Sequence, residues 1–209
     1  MDGSIIIQFL ITSILLTIAP GPDNLFVLAQ SMTYGKKAGV VTALGLCSGL
    51  IIHTLIAVLG LGVMIYQSLF LFNVLKYIGA IYLLYLALQA IKESKNATFF
   101  VKEIPKQNAF SLFKKGIFMN VLNPKIGLFF LAFLPQFVTF NGVNLSFQLV
   151  ILGLLFFLQS VFIFLCIAFI GGHFFERVVL SKQVIKWIQY VKAVFLSIIG
   201  VQIALQEKV

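Results

Sequence analysis

Residues 5–30 read IIIQFLITSILLTIAPGPDNLFVLAQ. The run is apolar enough to lie in a membrane, yet APGPDN at 19–24 interrupts it. Pro20 and Pro22 have no amide hydrogen, so carbonyls one turn earlier, near Leu16 and Ile18, lose their helical partners. Gly21 is expected to permit a sharp backbone turn. Pro22 suits the first position of a new half-helix. Asp23 and Asn24 follow directly, which places an acid at the break.

The rest of the chain fits the same medium. Its 209 residues are 61% hydrophobic and 10% charged, where a soluble domain runs near a quarter charged. The mean hydropathy is +1.08. The net charge of +9 does not point to nucleic acid, because the lysines fall in short loops between apolar runs and act as topology signals. Cys47 and Cys166 both lie inside apolar runs, which excludes a secreted disulfide framework and a metal site. No cofactor and no nucleotide-binding motif is in evidence, so drive by ATP is not expected.

A crossing helix needs about 20 residues. Apolar runs near 5–30, 39–66, 69–91, 116–140, 146–171 and 185–205 predict an all-α polytopic membrane protein with six transmembrane helices. MDGS has no basic region, so the first run reads as a retained helix rather than a signal peptide. Lys36 and Lys37, the lysines of 92–115, and Arg177, Lys182 and Lys186 fall in alternate loops, which places those loops in the cytoplasm. The turn near 141–145 is uncharged and faces out, as do both termini. Phe110 and Phe113 beside Lys114 and Lys115 suggest that the end of the 92–115 loop follows the membrane surface; the plain alternative is a solvated linker.

The two sides of that loop resemble each other. LFVLA at 25–29 and LFFLA at 128–132 each follow a proline elbow, APGPDN in one case and LNPK at 122–125 in the other. Three helices per half is an odd number, so the halves have opposite orientation. The expected organisation is one transport domain over 1–209. Its inverted repeats span about 1–91 and 116–209 and are joined by the loop at 92–115, with broken first and fourth helices.

In the second elbow Asn123 is a natural N-cap, and Pro124 suits the first helical position. Each elbow would thus offer bare carbonyls for a cation and a helix start for an anion. Asp23 is the sole carboxylate inside an apolar run, and Lys125 is its counterpart in the second half. A charge at the centre of a membrane helix costs roughly 2.5–3.5 kcal/mol, so these two should pair with each other or face a wet cavity. Counted from the ends of the apolar runs, Pro20 and Pro124 lie about 22 Å and 13 Å along their helices, which sets both elbows in the inner half of the membrane.

These motifs resemble the LysE/RhtB family of amino-acid exporters. PGPDNLFVLAQ with Gly35 and Gly39 is similar to the family's first-helix signature. GIFMNVLNPKIGLFFLAFLPQFV at 116–138 is similar to its fourth, and KYIGAIYLLYLALQAI at 76–91 to its third. The resemblance covers nearly the whole chain. It implies efflux of amino acids or close derivatives across the bacterial inner membrane, driven by the proton motive force, with no catalysis.

Other candidates lie on the flanking helices. Thr42, Gly45, Gly49, His53 and Gly60 share one face of the second helix. Gly45 and Gly49 form a GxxxG, which permits close helix packing or a homodimer. His53 at membrane depth is either a hydrogen-bonded packing residue or a proton carrier. Tyr82 and Tyr85 would line the cavity or pack with satisfied hydroxyls, and Lys76 is expected to snorkel outward. Gln148, Gln159 and Ser160 are weaker cavity candidates. Trp187 and Lys192 read as interface anchors, and His173 as interfacial. An exporter of another small solute or ion fits the same elbows. A thiol–disulfide carrier would need Cys47 and Cys166 to meet. The substrate itself is not named by the sequence, although a lone intramembrane anion argues for a neutral amino acid over a basic one.

Overall fold

The computed structural model describes residues 2–19, 21–67, 69–95, 108–139, 144–173 and 182–205. Pro20, Lys102, Lys106, Arg177, Lys208 and most of the turn near 141–145 lie outside them, as do the side chains of His173, Lys182 and Lys192. The described residues are helical with no strand: α1 Gly3–Ile18, α2 Pro22–Tyr34, α3 Lys36–Gln67, α4 Leu69–Lys95, α5 Ala109–Val121, α6 Pro124–Leu128, α7 Leu145–His173 and α8 Lys182–Leu205. Beyond α6 the chain continues as a π-helical turn, Phe129–Phe133, and a 3-10 turn, Leu134–Phe137. Pro135 cannot donate to the carbonyl one turn back, which is one recognised cause of such an irregularity.

Both expected breaks are present. α1 and α2 meet at 56°, and α5 meets Pro124–Phe137 at 47°. α3 over Lys36–Gly60 and α7 over Leu145–Gly172 are each long and apolar enough to cross a membrane, and each bent pair qualifies when joined. α4 and α8 are long enough, at 27 and 24 residues, and α8 contains the apolar stretch Gln189–Val201. Large apolar side chains point outward along the helices, among them Leu55, Leu59, Leu158 and Phe162. A soluble protein would bury such residues; a protein solvated by lipid need not.

Two boundaries differ from the sequence reading. α5 starts at Ala109, inside the segment expected to be loop, because Asn108 caps it: its Oδ1 accepts from the Ser111 amide at 2.7 Å. Lys114 Nζ sits 4.4 Å from the Phe110 ring centre on the exposed face of this helix. With α5 starting earlier and α2 running on to Tyr34, each elbow falls near the middle of its bent pair. The first has helices of 16 and 13 residues on its two sides, and the second follows a helix of 13.

α3 lies between α5 and α7, α1 and α2 also pack on α7, and α4 packs chiefly on α8. The main core is aromatic. Phe9, Phe129, Phe130, Phe133, Phe137 and Phe156 are buried together, with ring centres 5.0 Å apart for Phe129–Phe133 and 5.3 Å for the edge-on pair Phe9–Phe137. A second core joins Val27, Ala43, Leu46, Cys47, Phe164 and Ala168. In lipid such clusters hold by close packing rather than by escape from water.

The small-residue face of α3 is where α5 docks. A Cβ on Gly45 would lie 2.2 Å from the Phe113 carbonyl oxygen, and one on Gly49 would lie 2.7 Å from Asn120 Oδ1. Gly116 of α5 is equally tight against Thr42 and Leu46. The GxxxG is therefore occupied within the chain and is not a free dimer face. Gly45→Ala meets backbone that cannot yield, so it should lower the thermal unfolding midpoint of the purified protein by an amount matching overpacking of about 1–3 kcal/mol. Gly60→Ala is the control, since nothing lies within 4 Å of a Cβ there; equal behaviour of the two variants would contradict the tight α3–α5 crossing.

Candidate functional site

The elbows meet in the interior and hold each other. Asp23, in the first turn of α2 and 2% exposed, gains from the helix start behind it. Its Oδ2 accepts from Asn123 Nδ2 at 2.9 Å and from Asn120 Nδ2 at 3.4 Å. Both donors belong to the second elbow. In the other direction, Lys125 Nζ donates to the carbonyls of Leu16 at 3.2 Å and Ala19 at 3.4 Å, at the broken end of α1. A cation at a helix C-terminus is favourable by about 0.3–1 kcal/mol at a surface and more when buried. Lys125 and Asp23 also interact electrostatically. Each elbow thus supplies the groups that complete the other.

The carbonyls at the breaks are not bare, contrary to the expectation. Leu16 O, freed by Pro20, is met by Lys125. Ile18 O, freed by Pro22, faces Asn24 Nδ2 at 3.5 Å, and the same amide donates to Thr17 O at 2.8 Å. Asn120 O, freed by Pro124, lies 3.1 Å from His53 Nε2 and accepts from the Asn123 amide at 2.9 Å. An unpartnered carbonyl is costly in an apolar interior, so side chains have taken the place of the missing amides. The second helix start is likewise occupied, since Asn123 Oδ1 accepts from the Lys125 amide at 3.0 Å.

Gly21 plays a different part from the one expected. Its backbone is extended, φ −153° and ψ 177°, which any residue adopts. What glycine provides is room, because a Cβ there would sit 3.3 Å from Lys125 Nζ. Pro22 and Pro124 occupy the first turns of α2 and α6 as expected. His53 is buried, with its ring 5.6 Å from that of Phe130. Because a carbonyl can only accept, Nε2 carries a hydrogen in this arrangement.

A cavity lies where the elbows cross, lined by Thr17, Asp23, Asn24, Asn120, Lys125 and Ser160, with Leu50, Ile126, Phe156 and Phe164 as its apolar walls. At about 10 Å³ for the centre of a water-sized sphere, it has room for one water molecule. Ser160 Oγ and Thr17 Oγ1 are 3.4 Å apart, and Gln159 Nε2 donates to both. Three oxygens on lining residues, Asp23 Oδ1, Asn24 Oδ1 and Asn120 Oδ1, are buried without a hydrogen-bond partner. Such groups cost roughly 1–3 kcal/mol each.

Not every candidate is brought here. Tyr82 and Tyr85 do not line the cavity. They lie on α4, which packs mainly on α8, and their rings contact each other at 6.1 Å. Tyr85 is 51% exposed, and its hydroxyl accepts from Gln89. Lys76 is buried beside the Tyr77 ring instead of extending outward. Gln148 pairs with both backbone groups of Thr139 and secures the end of the 3-10 turn. Trp187 is exposed. Cys47 and Cys166 are free thiols, and neither lines the cavity. Among the described residues no group of His, Cys, Asp and Glu could hold a metal ion.

The sequence reading missed Thr17 and Asn120. Asn120 carried a usable signal, since it stands four residues before Pro124 and so owns the carbonyl that proline orphans. Thr17 carried none, because it is brought in by α7 packing against α1.

A family model for LysE type translocators matches residues 14–207. An uncharacterised membrane protein, YrhP, of Bacillus subtilis (strain 168) is 36% identical over 168 residues, covering 75% of this chain and 78% of its own. A homoserine/homoserine lactone efflux protein of Salmonella typhimurium (strain LT2) is 35% identical over 145 residues, covering 69% of each chain. No solved structure gives a significant match. The chain belongs to the LysE type translocator family and is a multi-pass membrane transporter, not an enzyme.

Proposed function

We propose that this LysE type translocator exports amino acids or close derivatives from the cell in exchange for protons, by alternating access around the crossed elbows. The observation that carries the reading is the reciprocal brace. Asp23 is held by asparagines of the second half and Lys125 by carbonyls of the first, beside one buried cavity. Ionisable groups at membrane depth are expensive and are retained for function. A brace built from both halves must loosen if they rock against each other, so it links motion to the charge state of the site. The relative that moves homoserine and its lactone supports a small, amine-bearing substrate.

The six crossings form two inverted three-helix repeats within a single transport domain. The packing supports this: α3 meets α7 and α4 meets α8, pairing corresponding helices, while α5 on α3 mirrors α1–α2 on α7. The loops around Lys36 and Lys37 and over 92–115 face the cytoplasm of a bacterial cell, by their excess of lysine. His53, Pro20, Gly21, Pro22, Asn24, Asn123 and Pro124 shape the site, and Asp23 and Lys125 carry its charge.

Cells with and without the gene, loaded with a panel of dipeptides, test the function. Intracellular levels of one or a few neutral amino acids should fall faster in cells carrying it, and the difference should vanish when the proton gradient is collapsed. Equal levels across the whole panel would overturn amino-acid export and leave another small solute or ion as the cargo.

A further inference from the structure

The hydrogen-bonding capacity around the cavity is lopsided. Asp23 Oδ1 and Asn24 Oδ1 lack donors, although Asp23 is 2% and Asn24 8% exposed. Both residues line the cavity. The sense of the Asn24 amide is not arbitrary: its nitrogen faces the Thr17 and Ile18 carbonyls, which can only accept, so its oxygen is the atom left over. The donors here are already engaged. The Asn120 and Asn123 amides point at Asp23 Oδ2, and the Lys125 ammonium is bonded to the Leu16 and Ala19 carbonyls. What the cavity lacks is hydrogen-bond donors, and one of its open acceptors belongs to an acid.

A primary ammonium answers that deficit. It brings three N–H donors, no acceptor and a positive charge. A carboxylate brings only acceptors and would face the same oxygens unfavourably. The Thr17 hydroxyl already donates to Ser13 O at 2.8 Å, which leaves Ser160 as the hydroxyl that can donate to a neutral carbonyl, ether or hydroxyl oxygen on the remainder of a substrate.

We infer that the site selects its substrate by a primary ammonium group and not by a carboxylate. Esters, lactones and amides of small neutral amino acids are then substrates alongside the free amino acids, and N-acylated amino acids are not. The inference rests on the export reading for its physiological meaning, but its chemistry concerns binding alone. It also gives one reason why a single relative handles both homoserine and its lactone: the two share the amine and differ in the carboxylate.

Binding to the purified full-length protein, followed by thermal unfolding in detergent, separates the two claims. The probes are alanine, leucine and homoserine, each as the free amino acid, the methyl ester and the N-acetyl derivative; homoserine lactone is added. Free and esterified forms of the preferred side chain should stabilise the protein with affinities within about threefold of each other, and the N-acetyl form should be at least about tenfold weaker. Asp23→Asn should remove the stabilisation by the ester. N-acetyl forms that match the free amino acids while the esters fail would overturn the inference, as would a complete lack of binding by every amine probe. Because no transport is measured, absence of export from cells leaves this result readable. Export of amino acids together with tight N-acetyl binding would refute the selection rule and leave the export reading intact.

Discussion

Asp23→Asn should abolish export while the protein stays in the membrane at near-normal abundance; Lys125→Met should abolish export and lower abundance as well. The difference follows from what each side chain holds. Asparagine at 23 keeps the shape of the acid and an oxygen for the Asn123 amide at the Oδ2 position. It loses the charge, which is what a proton or an ammonium needs. Methionine at 125 leaves the Leu16 and Ala19 carbonyls without their donor, at roughly 1–3 kcal/mol for each buried group. It also leaves Asp23 as an ionisable group without the neighbouring cation, and a buried charge deprived of its partner is strongly unfavourable. The double variant decides between roles. If the two charges only neutralise each other, removing both restores much of the transport. If Asp23 takes the proton or the substrate ammonium, the double variant stays inactive. Counterflow by the double variant at the wild-type rate, indifferent to an imposed proton gradient, would falsify the role of Asp23.

That both charges belong to one place was legible in the sequence, because a membrane helix does not carry Asp23 or Lys125 without a reason. The breaks were legible too, since proline chemistry is local. Which group answers which was not legible. The sequence allows a direct Asp23–Lys125 pair or a shared wet cavity; both residues line one cavity, and the described hydrogen bonds run diagonally, from Asn123 to Asp23 and from Lys125 to Leu16. Such a diagonal depends on the angle between two half-helices, which no residue pattern encodes. The same holds for Tyr82 and Tyr85. Their spacing set them on one face of α4, but only packing decides that the face turns away from the cavity. Gly21 is the converse case. A glycine between two prolines reads as backbone freedom, and the structure uses it as space for an ammonium. On sequence grounds His53 reads as a packing residue first and a proton carrier second. Its bond to Asn120 O accounts for its burial without any titration.

Pro22→Ala and Pro124→Ala should each reduce export by about 5–150-fold, the equivalent of 1–3 kcal/mol of lost coupling, with a smaller effect on abundance. The first has the larger effect. Alanine at 22 supplies the amide that Ile18 O lacks, and an intact helical bond there outcompetes the long 3.5 Å contact from Asn24. The 56° bend between α1 and α2 then relaxes, and Asp23 leaves the reach of Asn120 and Asn123. Alanine at 124 supplies an amide to Asn120 O, which already has His53 and the Asn123 amide as partners, so less is gained by straightening. Asn123 still caps the following turn through the Lys125 amide, which resists the change further. His53→Phe in the Pro124→Ala background tests this account. With the new amide in place the carbonyl no longer needs the imidazole, so the added loss should be smaller than that of His53→Phe alone. Equal losses in both backgrounds would show that His53 acts on something other than the carbonyl freed by Pro124. Normal export by both proline variants would make the elbows packing kinks and move the transport site elsewhere.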